Sequence, residues 1–356
     1  MLTVNQLTLT HRKDLTVLVD SLSFTLNDGE RLALIGEEGN GKSTLLRVLA
    51  GDPSVESYIE VSGSFSCRDS AAYLPQELPE SERTLSSYDF FCMSPVFFDQ
   101  SPRELGELAA RLSLPADVFY SDQLMQTFSG GERVKLQLAR LLMSSPTTLL
   151  LDEPTNDLDS DSVLWLENFL LSCKLTVLFV SHDEALLSRA ATSILLLERL
   201  RRRQVPRATL YRMGYDRFYE ERGAAFEKQT RIARKEREDF NAKMERYDAI
   251  RRKVERDQNA ISRQDPHGSR LLKKKMHTVQ AMGRRFEREQ ENMTAMPEQE
   301  EAIFAKLDCA PLPADKTVLD LSCAELSVGG RTLCRNIRLT VRANEKLCIC
   351  GHNGVG

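Results

Sequence analysis

The chain has 356 residues and a formal net charge of −4, a length typical of two or three domains. Apolar residues make up 41% of it, enough for ordinary globular cores, and it has no run of 18 apolar residues, so we expect no membrane-spanning helix. The first residues alternate like a strand and lack the apolar core of a signal peptide. We therefore expect a cytoplasmic location and reduced cysteines.

The N-terminal part of the chain predicts a phosphate-binding loop between a strand and a helix. Residues 3–35 favour strands broken by turns, and residues 45–50 favour a helix. The segment between them matches G-x-x-x-x-G-K-[ST] in full, in the strand–loop–helix context that this motif requires. Such loops turn backbone N–H groups toward phosphate oxygens. The predicted nucleotide-binding residues are Gly36, Glu37, Glu38, Gly39, Asn40, Gly41, Lys42, Ser43 and Thr44.

Within this loop, two side chains have specific expected roles. Lys42 is expected to reach the β- and γ-phosphates, and the Ser43 hydroxyl is expected to hold Mg²⁺.

The strand and loop occur twice. Residues 21–41 align without a gap to residues 336–356, which also end in an apolar strand and a glycine-rich loop. We therefore expect a tandem nucleotide-binding protein whose second loop is cut one residue before its lysine. Strands from about Val318 onward are expected to be disordered or prone to aggregate, because they cannot be buried alone.

The region after the loop alternates between strand and helix patterns. A strand pattern continues through Gly63 to residues 71–77, and a helical pattern covers about residues 84–128. Residues 128–133 open a helix that runs to Met143, followed by the buried-strand run 147–151. Further on, residues 175–180 predict a strand, and a last pair of strands is expected to end near Tyr211.

Two long helices follow. Apolar residues recur at spacings of three, four and seven on both sides of a predicted turn at residues 265–268, which indicates an antiparallel helical hairpin. The predicted seam consists of Phe240, Met244, Tyr247, Val254, Ile261, Leu272, Met276, Val279, Phe286 and Met293. Pro297 is expected to end the second helix.

The hairpin carries an excess of positive charge toward its tip. Between Ala249 and Glu289 the sequence has twelve Lys or Arg residues against five acidic residues. A solvated helical face is the ordinary explanation for such charges, and a surface that neutralises RNA phosphates is the alternative.

The order of the motifs resembles one family. The loop at residues 36–44 is followed by Gln76, by Ser-Gly-Gly-Glu at residues 129–132, by Leu-Leu-Leu-Asp-Glu-Pro-Thr-Asn-Asp-Leu-Asp at residues 149–159, and by Val-Ser-His-Asp at residues 180–183. This series resembles the ATP-binding cassettes of the ABC superfamily, and residues 153–159 resemble the ABC-F branch. That branch has two cassettes on one chain, a helical linker between them and no membrane domain.

The resemblance implies a fold class. It is an α/β P-loop NTPase cassette with a mixed core sheet, a helical subdomain and an antiparallel β subdomain, followed by an α-helical hairpin linker and the first strands of a second cassette. We expect the first cassette at residues 1–210, the linker at 211–300 and the second cassette from 301 to 356. No additional helical arm fits between Gln76 and Ser129.

The resemblance also implies roles in ATP hydrolysis. Asp152, with Ser43 and Gln76, would hold Mg²⁺; Glu153 would orient the attacking water, and His182 would contact the γ-phosphate. In the family, the segment corresponding to Ser129, Gly130, Gly131 and Glu132 covers the ATP bound by the opposite cassette, and residues 156–159 line that interface. No clear aromatic residue is available to stack on adenine, and His11 is the nearest.

At the level of function, the resemblance implies an ATPase that acts on the ribosome, as a translation factor or an antibiotic-protection protein. Its linker tip would contact tRNA and rRNA through Arg251, Arg252, Lys253, Arg270, Lys273, Lys274 and Lys275. The alternatives are the ATPase subunit of a membrane transporter and a non-enzymatic fragment. Because the ATP sandwich needs a second cassette, residues 1–356 alone are expected to hydrolyse ATP slowly.

Overall fold

The structure is a computed structural model that describes residues 1–67, 70–199, 205–260, 266–291, 316–328, 331–343, 345 and 347. Its contacts divide the chain into two compact units. The first holds Met1–Asp216 together with the strands after residue 316, and the second holds the long helices from Arg217 onward. The domain boundaries expected from the sequence stay predictions.

The strands have between four and twelve residues, and most of them lie in the first two hundred residues. They are β1 (Leu2–His11), β2 (Val17–Leu26), β3 (Arg31–Gly36), β4 (Ile59–Cys67), β5 (Ala71–Leu74), β6 (Thr148–Asp152), β7 (Thr176–Val180), β8 (Ser193–Arg199), β9 (Val205–Tyr211), β10 (Thr317–Val328) and β11 (Arg331–Arg342).

The α-helices differ widely in length. They are α1 (Lys42–Leu49), α2 (Glu80–Arg83), α3 (Ser87–Cys92), α4 (Pro102–Leu112), α5 (Gly130–Met143), α6 (Ser160–Ser172), α7 (Glu184–Ala190), α8 (Tyr215–Ala260) and α9 (Pro266–Glu291). Short 3₁₀ helices lie at Pro53–Ser57, Pro95–Asp99, Ala116–Tyr120 and Met125–Thr127.

A six-stranded sheet forms the centre of the first unit. Its strand order is β5-β6-β7-β3-β8-β9, with every neighbouring pair parallel except β8 and β9. All residues of β6 and β7 are buried, because helices cover both faces of a parallel sheet and its strands then read as continuous apolar runs. The carboxyl ends of β3, β5, β6 and β7 meet at one edge, which is where ligands bind in such sheets.

A separate three-stranded antiparallel sheet has the order β2-β1-β4. Leu2, Leu7 and Leu9 of β1 are fully buried, and they belong to the same apolar cluster as Leu32 of β3 and Leu45 of α1. The mixed sheet, the helical segments and the antiparallel sheet confirm the fold class expected for an ABC cassette.

The helical pattern predicted for residues 84–128 is present but broken. It consists of α3, α4 and three 3₁₀ helices rather than one long element. Helix α4 begins with a capping box between Ser101 and Glu104 and has Pro102 in its first turn. Within this segment Phe97 is buried against Phe91, whereas Phe98 is 66% exposed.

Helices α8 and α9 form the predicted antiparallel hairpin. Val254 packs against Val279, and further from the tip Phe286 contacts both Phe240 and Tyr247. The turn differs from the prediction, because Pro266 and the two residues after it form the first turn of α9, where proline is favoured. The predicted seam residues Ile261 and Met293 lie outside the described residues, as does the side chain of Leu272.

Strands β10 and β11 pair as an antiparallel hairpin, although we had expected disorder or aggregation here. Val318, Leu319, Leu321 and Leu326 are exposed on it. Its tendency to aggregate stays a prediction, and the repeated glycine loop at residues 351–356 lies outside the described residues.

Replacing Leu150 by alanine should lower the free energy of unfolding by about 2–5 kcal/mol. Leu150 lies fully buried in β6, so the substitution leaves a cavity between the sheet and its helices. Urea unfolding followed by circular dichroism measures the change. Leu164→Ala, at a side chain of α6 that is 50% exposed, is the matched control and should shift stability by no more than about 0.5 kcal/mol. Equal effects of the two substitutions would contradict this account of the core.

Candidate nucleotide-binding site

The predicted phosphate loop connects β3 to α1. A Cβ atom at Gly36 would lie 2.4 Å from the carbonyl oxygen of Leu197, so only glycine allows β3 and β8 to approach this closely. Gly41 has a φ of 84°, a left-handed conformation that turns the chain into the first turn of α1. Asn40 anchors the loop from the side, because its amide donates a hydrogen bond to the Leu197 carbonyl at 3.0 Å.

Lys42 is folded against this loop. Its Nζ donates hydrogen bonds to the carbonyl oxygens of Gly36 at 2.8 Å and Glu37 at 3.0 Å. Burial lowers the pKa of the ammonium, and the nearby carboxylates, Glu153 foremost, oppose that shift. A partly desolvated cation beside a helix N-terminus is well suited to a phosphate group.

Asp152 is the buried acidic group of the site. It ends β6 and is 1% exposed. Ser43 Oγ donates to one carboxylate oxygen at 3.0 Å, and the Tyr73 hydroxyl donates to the other at 3.0 Å. Burial raises the pKa of Asp152, while these two hydrogen bonds act in the opposite direction. Burial likewise raises the pKa of Tyr73, to about 12, so its hydroxyl remains a donor.

Glu153 follows Asp152 in a left-handed conformation with a φ of 47°, and its N–H donates to the Val180 carbonyl of β7 at 3.1 Å. Its carboxylate accepts hydrogen bonds from Gln76 at 3.3 Å and from Asn156 at 2.8 Å. His182 Nε2 lies 3.5 Å from the other carboxylate oxygen. A strained backbone held by neighbours on several elements is typical of functional positions.

The topology explains why distant residues meet. Gln76 follows β5, Glu153 follows β6 and His182 follows β7, and these three strands are neighbours in the parallel sheet. Ser43 reaches the same edge from the first turn of α1, after β3. The structure therefore brings together Lys42, Ser43, Gln76, Asp152, Glu153 and His182 at one edge of the sheet, and their roles in binding and hydrolysis stay predictions.

The Ser43 hydroxyl and Asp152 carboxylate fit a magnesium ion. Mg²⁺ prefers hard oxygen donors and commonly takes only one or two protein carboxylates, with water and substrate phosphates completing its octahedron. Among the described residues, no cluster of three or more His, Cys, Asp or Glu is arranged for a metal.

A cleft of about 450 Å³ adjoins the loop. Its lining includes Lys42, Gln76 and Glu153, and Leu18 of β2 supplies an apolar side chain. His11, the expected adenine contact, is not among the described lining residues. Its Nδ1 instead donates a hydrogen bond to the Asp14 carboxylate at 3.0 Å, and its ring lies 6.5 Å from the ring of Tyr58.

The Ser-Gly-Gly-Glu segment starts α5, away from this cleft. Ser129 and Glu132 form a reciprocal capping box. A Cβ atom at Gly130 would lie 2.2 Å from the Asp157 carbonyl oxygen, so the bare glycine backbone packs directly against the segment that follows Glu153. Gly130, Asn156, Asp157 and Gln76 are among the residues that line a second cleft, of about 470 Å³. The segment therefore faces a surface next to the phosphate loop rather than the loop itself.

The predicted RNA-contacting residues lie in the second unit. Arg251, Arg252 and Lys253 are exposed near the end of α8, and Arg270 and Lys273, Lys274 and Lys275 are exposed in the first half of α9. Arg251 pairs with Glu255 one turn along α8, at 2.8 Å.

Sequence reasoning missed two supporting residues. Tyr73 fixes Asp152 and is itself within 3.4 Å of Arg47 Nε, and Asn156 orients Glu153 although we had assigned it only to the cassette interface. Tyr73 lies on the strand that precedes Gln76, so a polar aromatic residue in a buried strand was the available signal.

The site combines a glycine loop before a helix, the carboxyl edge of a parallel sheet and a buried aspartate opposite the loop. These features define a P-loop nucleotide-binding protein. Residues 19–156 match the family model described as ABC transporter. The chain therefore contains an ABC-type domain, and this match covers less than half of its 356 residues. Among the residues that the structure describes, no helix is both long and apolar enough to cross a membrane.

Curated relatives point to the ABC-F branch, as the motifs predicted. The tylosin resistance ATP-binding protein TlrC of Streptomyces fradiae is 29% identical over 98% of this chain and 69% of its own length. The putative ATP-binding protein YdiF of Bacillus subtilis is 36% identical over 55% of this chain and 29% of its own. Elongation factor 3 of Phytophthora infestans is 34% identical over 51% of this chain and 17% of its own length. The chain thus aligns with less than a third of the last two proteins.

In the absence of nucleotide and magnesium, Asp152→Asn should raise the melting temperature at pH 7. The pKa of Asp152 is higher in the folded protein than its usual value of 3.8, so the folded state loses stability as pH rises past that value. The amide removes this loss. Calorimetry at pH 7 should therefore show the gain, and the gain should shrink toward pH 3.5, where the wild-type carboxyl is protonated.

The exposed substitution Glu60→Gln is the control for the loss of one negative charge and should leave the melting temperature nearly unchanged. Asp152→Asn should also abolish the additional stabilisation that Mg²⁺ confers in the presence of ATP. A variant that is less stable than wild type at pH 7 would contradict the proposed cost of burying this charge.

Proposed function

We propose that this protein is an ABC-F ATPase that acts on the ribosome, as a translation factor or in antibiotic protection of the ribosome. The observation that carries the ATPase proposal is the placement of Glu153, held by Gln76 and Asn156 beside the buried Asp152. The relatives named for elongation and for tylosin resistance support the ribosomal part. Such a role implies a cytosolic location.

The loop supplies the binding step. Backbone N–H groups of residues 39–44, at the start of α1, would hold the phosphates, and Lys42 would leave its carbonyl partners in the loop to contact the β- and γ-phosphates. Ser43 and Asp152 would hold Mg²⁺, with Gln76 joining its water shell. The ion, when bound, neutralises charge on the phosphates.

Glu153 supplies the chemical step. A carboxylate next to the metal-binding aspartate can accept a proton from water or orient it for attack on the γ-phosphate. The hydrogen bonds from Gln76 and Asn156 keep one oxygen of Glu153 in place, and His182 is close enough to contact the phosphate that the water attacks.

Hydrolysis would need a second cassette. Ser129 is exposed at the start of α5, and Gly130 lines the second cleft, whose lining does not include the phosphate loop of the same cassette. In the proposed arrangement this segment covers ATP held by an opposite cassette, and residues 156–159 line the same interface. Excluding water in this way strengthens the electrostatic stabilisation of the transferring group.

The helical hairpin would supply the ribosomal contact. The basic residues near its tip are exposed on both helices. Those on α9 (Arg270, Lys273, Lys274 and Lys275) have no acidic residue within one turn of the helix and can neutralise RNA phosphates, whereas Arg251 on α8 pairs with Glu255. The alternative role is that of the ATPase subunit of a membrane transporter. That role does not explain the basic hairpin. Sedimentation with ribosomes rather than with membranes distinguishes the two.

Glu153→Gln should retain ATP binding and lower the rate of ATP hydrolysis about 10²- to 10⁴-fold, because the amide cannot accept the proton. Its hydrogen-bonding partners and size are largely preserved. Isothermal titration with Mg-ATP and steady-state phosphate release measure the two properties. An unchanged turnover number would remove Glu153 from the mechanism.

Two further variants complete this experiment. Lys42→Ala should lose Mg-ATP binding itself, which separates failure to bind from failure to react. Glu56→Gln, at an exposed residue outside the site, should leave both properties unchanged. A Lys42→Ala variant with wild-type affinity would show that the loop does not hold the phosphates.

Replacing Lys273, Lys274 and Lys275 together by glutamine should weaken tRNA binding and cosedimentation with ribosomes. The slope of log affinity against log salt should fall by about 2 to 3, because up to three phosphate contacts are lost. Filter binding over a range of salt concentrations measures the slope.

The matched control is the triple replacement of Arg231, Arg234 and Lys235 by glutamine in the stem of the same hairpin. It removes the same charge further from the tip and should have a much smaller effect on the slope. If both triple variants lose affinity equally, the basic residues act as a diffuse charge and the tip has no specific role.

A further inference from the structure

Three aromatic side chains are exposed together on the first unit. Tyr88, Phe98 and Tyr120 are 40%, 66% and 55% exposed, and we call them the aromatic patch. They surround the buried Phe97, whose ring centre lies 6.3 Å from that of Tyr88, 5.7 Å from Phe98 and 6.2 Å from Tyr120. Contiguous exposed rings of this kind are uncommon on a surface that faces only water.

The elements that carry the aromatic patch are acidic. Residues 86–122 contain six Asp or Glu residues against two Arg residues and no Lys. Asp89, Asp99, Asp117 and Asp122 are exposed in the same short helices as the aromatic residues or immediately beside them.

Neither arginine of this segment offsets those acids. Arg103 pairs with Glu107 of its own helix at 2.9 Å, and Arg111 lies over the ring of Phe169, at 5.8 Å from its centre. Within residues 86–122, acidic side chains therefore outnumber basic side chains around the rings.

Exposed aromatic rings beside exposed carboxylates favour some classes of binding partner over others. Aromatic faces attract cations, and arginine in particular stacks its planar guanidinium on them. Exposed carboxylates repel nucleic-acid phosphates and anionic lipid surfaces, whereas they attract guanidinium and ammonium groups. The aromatic patch thus suits a polypeptide in which arginine side chains reach both the rings and the surrounding carboxylates.

We propose that the aromatic patch is a docking surface for an arginine-rich polypeptide segment of a partner protein. The inference does not depend on the ATP site, because the residues that carry it lie on α3 and on two 3₁₀ helices rather than at the carboxyl edge of the sheet.

Fluorescence anisotropy with a labelled octa-arginine peptide tests the proposal on the whole chain. The double variant Phe98→Ser/Tyr120→Ser should weaken peptide binding roughly tenfold, through the loss of two cation–π contacts. The control Leu164→Ser/Leu171→Ser removes two exposed apolar side chains from α6 and should leave the affinity unchanged. Unaltered Mg-ATP binding in both double variants shows that they are folded.

A second pair of variants tests the carboxylates. Asp99→Asn/Asp122→Asn should weaken binding and its salt dependence more than Glu56→Gln/Glu60→Gln, which makes the same change in charge at exposed positions elsewhere. Octa-lysine should bind more weakly than octa-arginine and should be less sensitive to loss of the rings.

Three results would overturn the proposal. The first is equal binding of octa-arginine by the patch variants and their controls. The second is binding of poly(U) RNA or anionic vesicles that depends on Phe98 and Tyr120, in place of peptide binding. The third is self-association in sedimentation experiments that the same double variant abolishes while peptide binding is unaffected, which would identify a second copy of this chain as the occupant.

Discussion

The contact between Ser43 and Asp152 joins two parts of the chain that are 109 residues apart, and the nucleotide site depends on it. Asp152 is buried, and a buried carboxylate is tolerated only when hydrogen-bond donors compensate for its lost hydration. The hydroxyls of Ser43 and Tyr73 provide that compensation. A metal ion held there would supply the positive charge that these neutral donors do not, so the Asp152 carboxylate would be better stabilised with the ion bound than without it.

Much of this arrangement could be predicted from the sequence because local and tertiary signals agree there. The strands β6 and β7 are continuous apolar runs with a motif at each carboxyl end, and parallel pairing brings such ends together. The helical hairpin could also be predicted, because the helical spacing of apolar residues persists over both α8 and α9. The prediction placed the turn at residues 265–268, whereas α9 already begins at Pro266, because proline fits the first turn of a helix as readily as a loop.

What the sequence could not supply were the supporting contacts. Tyr73 and Asn156 act only through Asp152 and Glu153, and nothing in their local pattern shows which carboxylate they meet. Residues 84–128 were predicted as helical, but short caps and 3₁₀ turns decide where each piece ends, and apolar periodicity does not resolve them. The exposure of Phe98 beside the buried Phe97 likewise depends on tertiary packing.

Ser129 illustrates how one side chain can serve two demands. Its hydroxyl accepts the hydrogen bond that caps α5, and the proposed cassette interface uses the same residue against a phosphate. Alanine would lose the cap, at a cost of about 1 kcal/mol, and aspartate would keep the cap but place a negative charge toward an anion. Selection should therefore tolerate very few residue types at position 129. Although this side chain is exposed, the position should vary as little among related sequences as a position in the protein core.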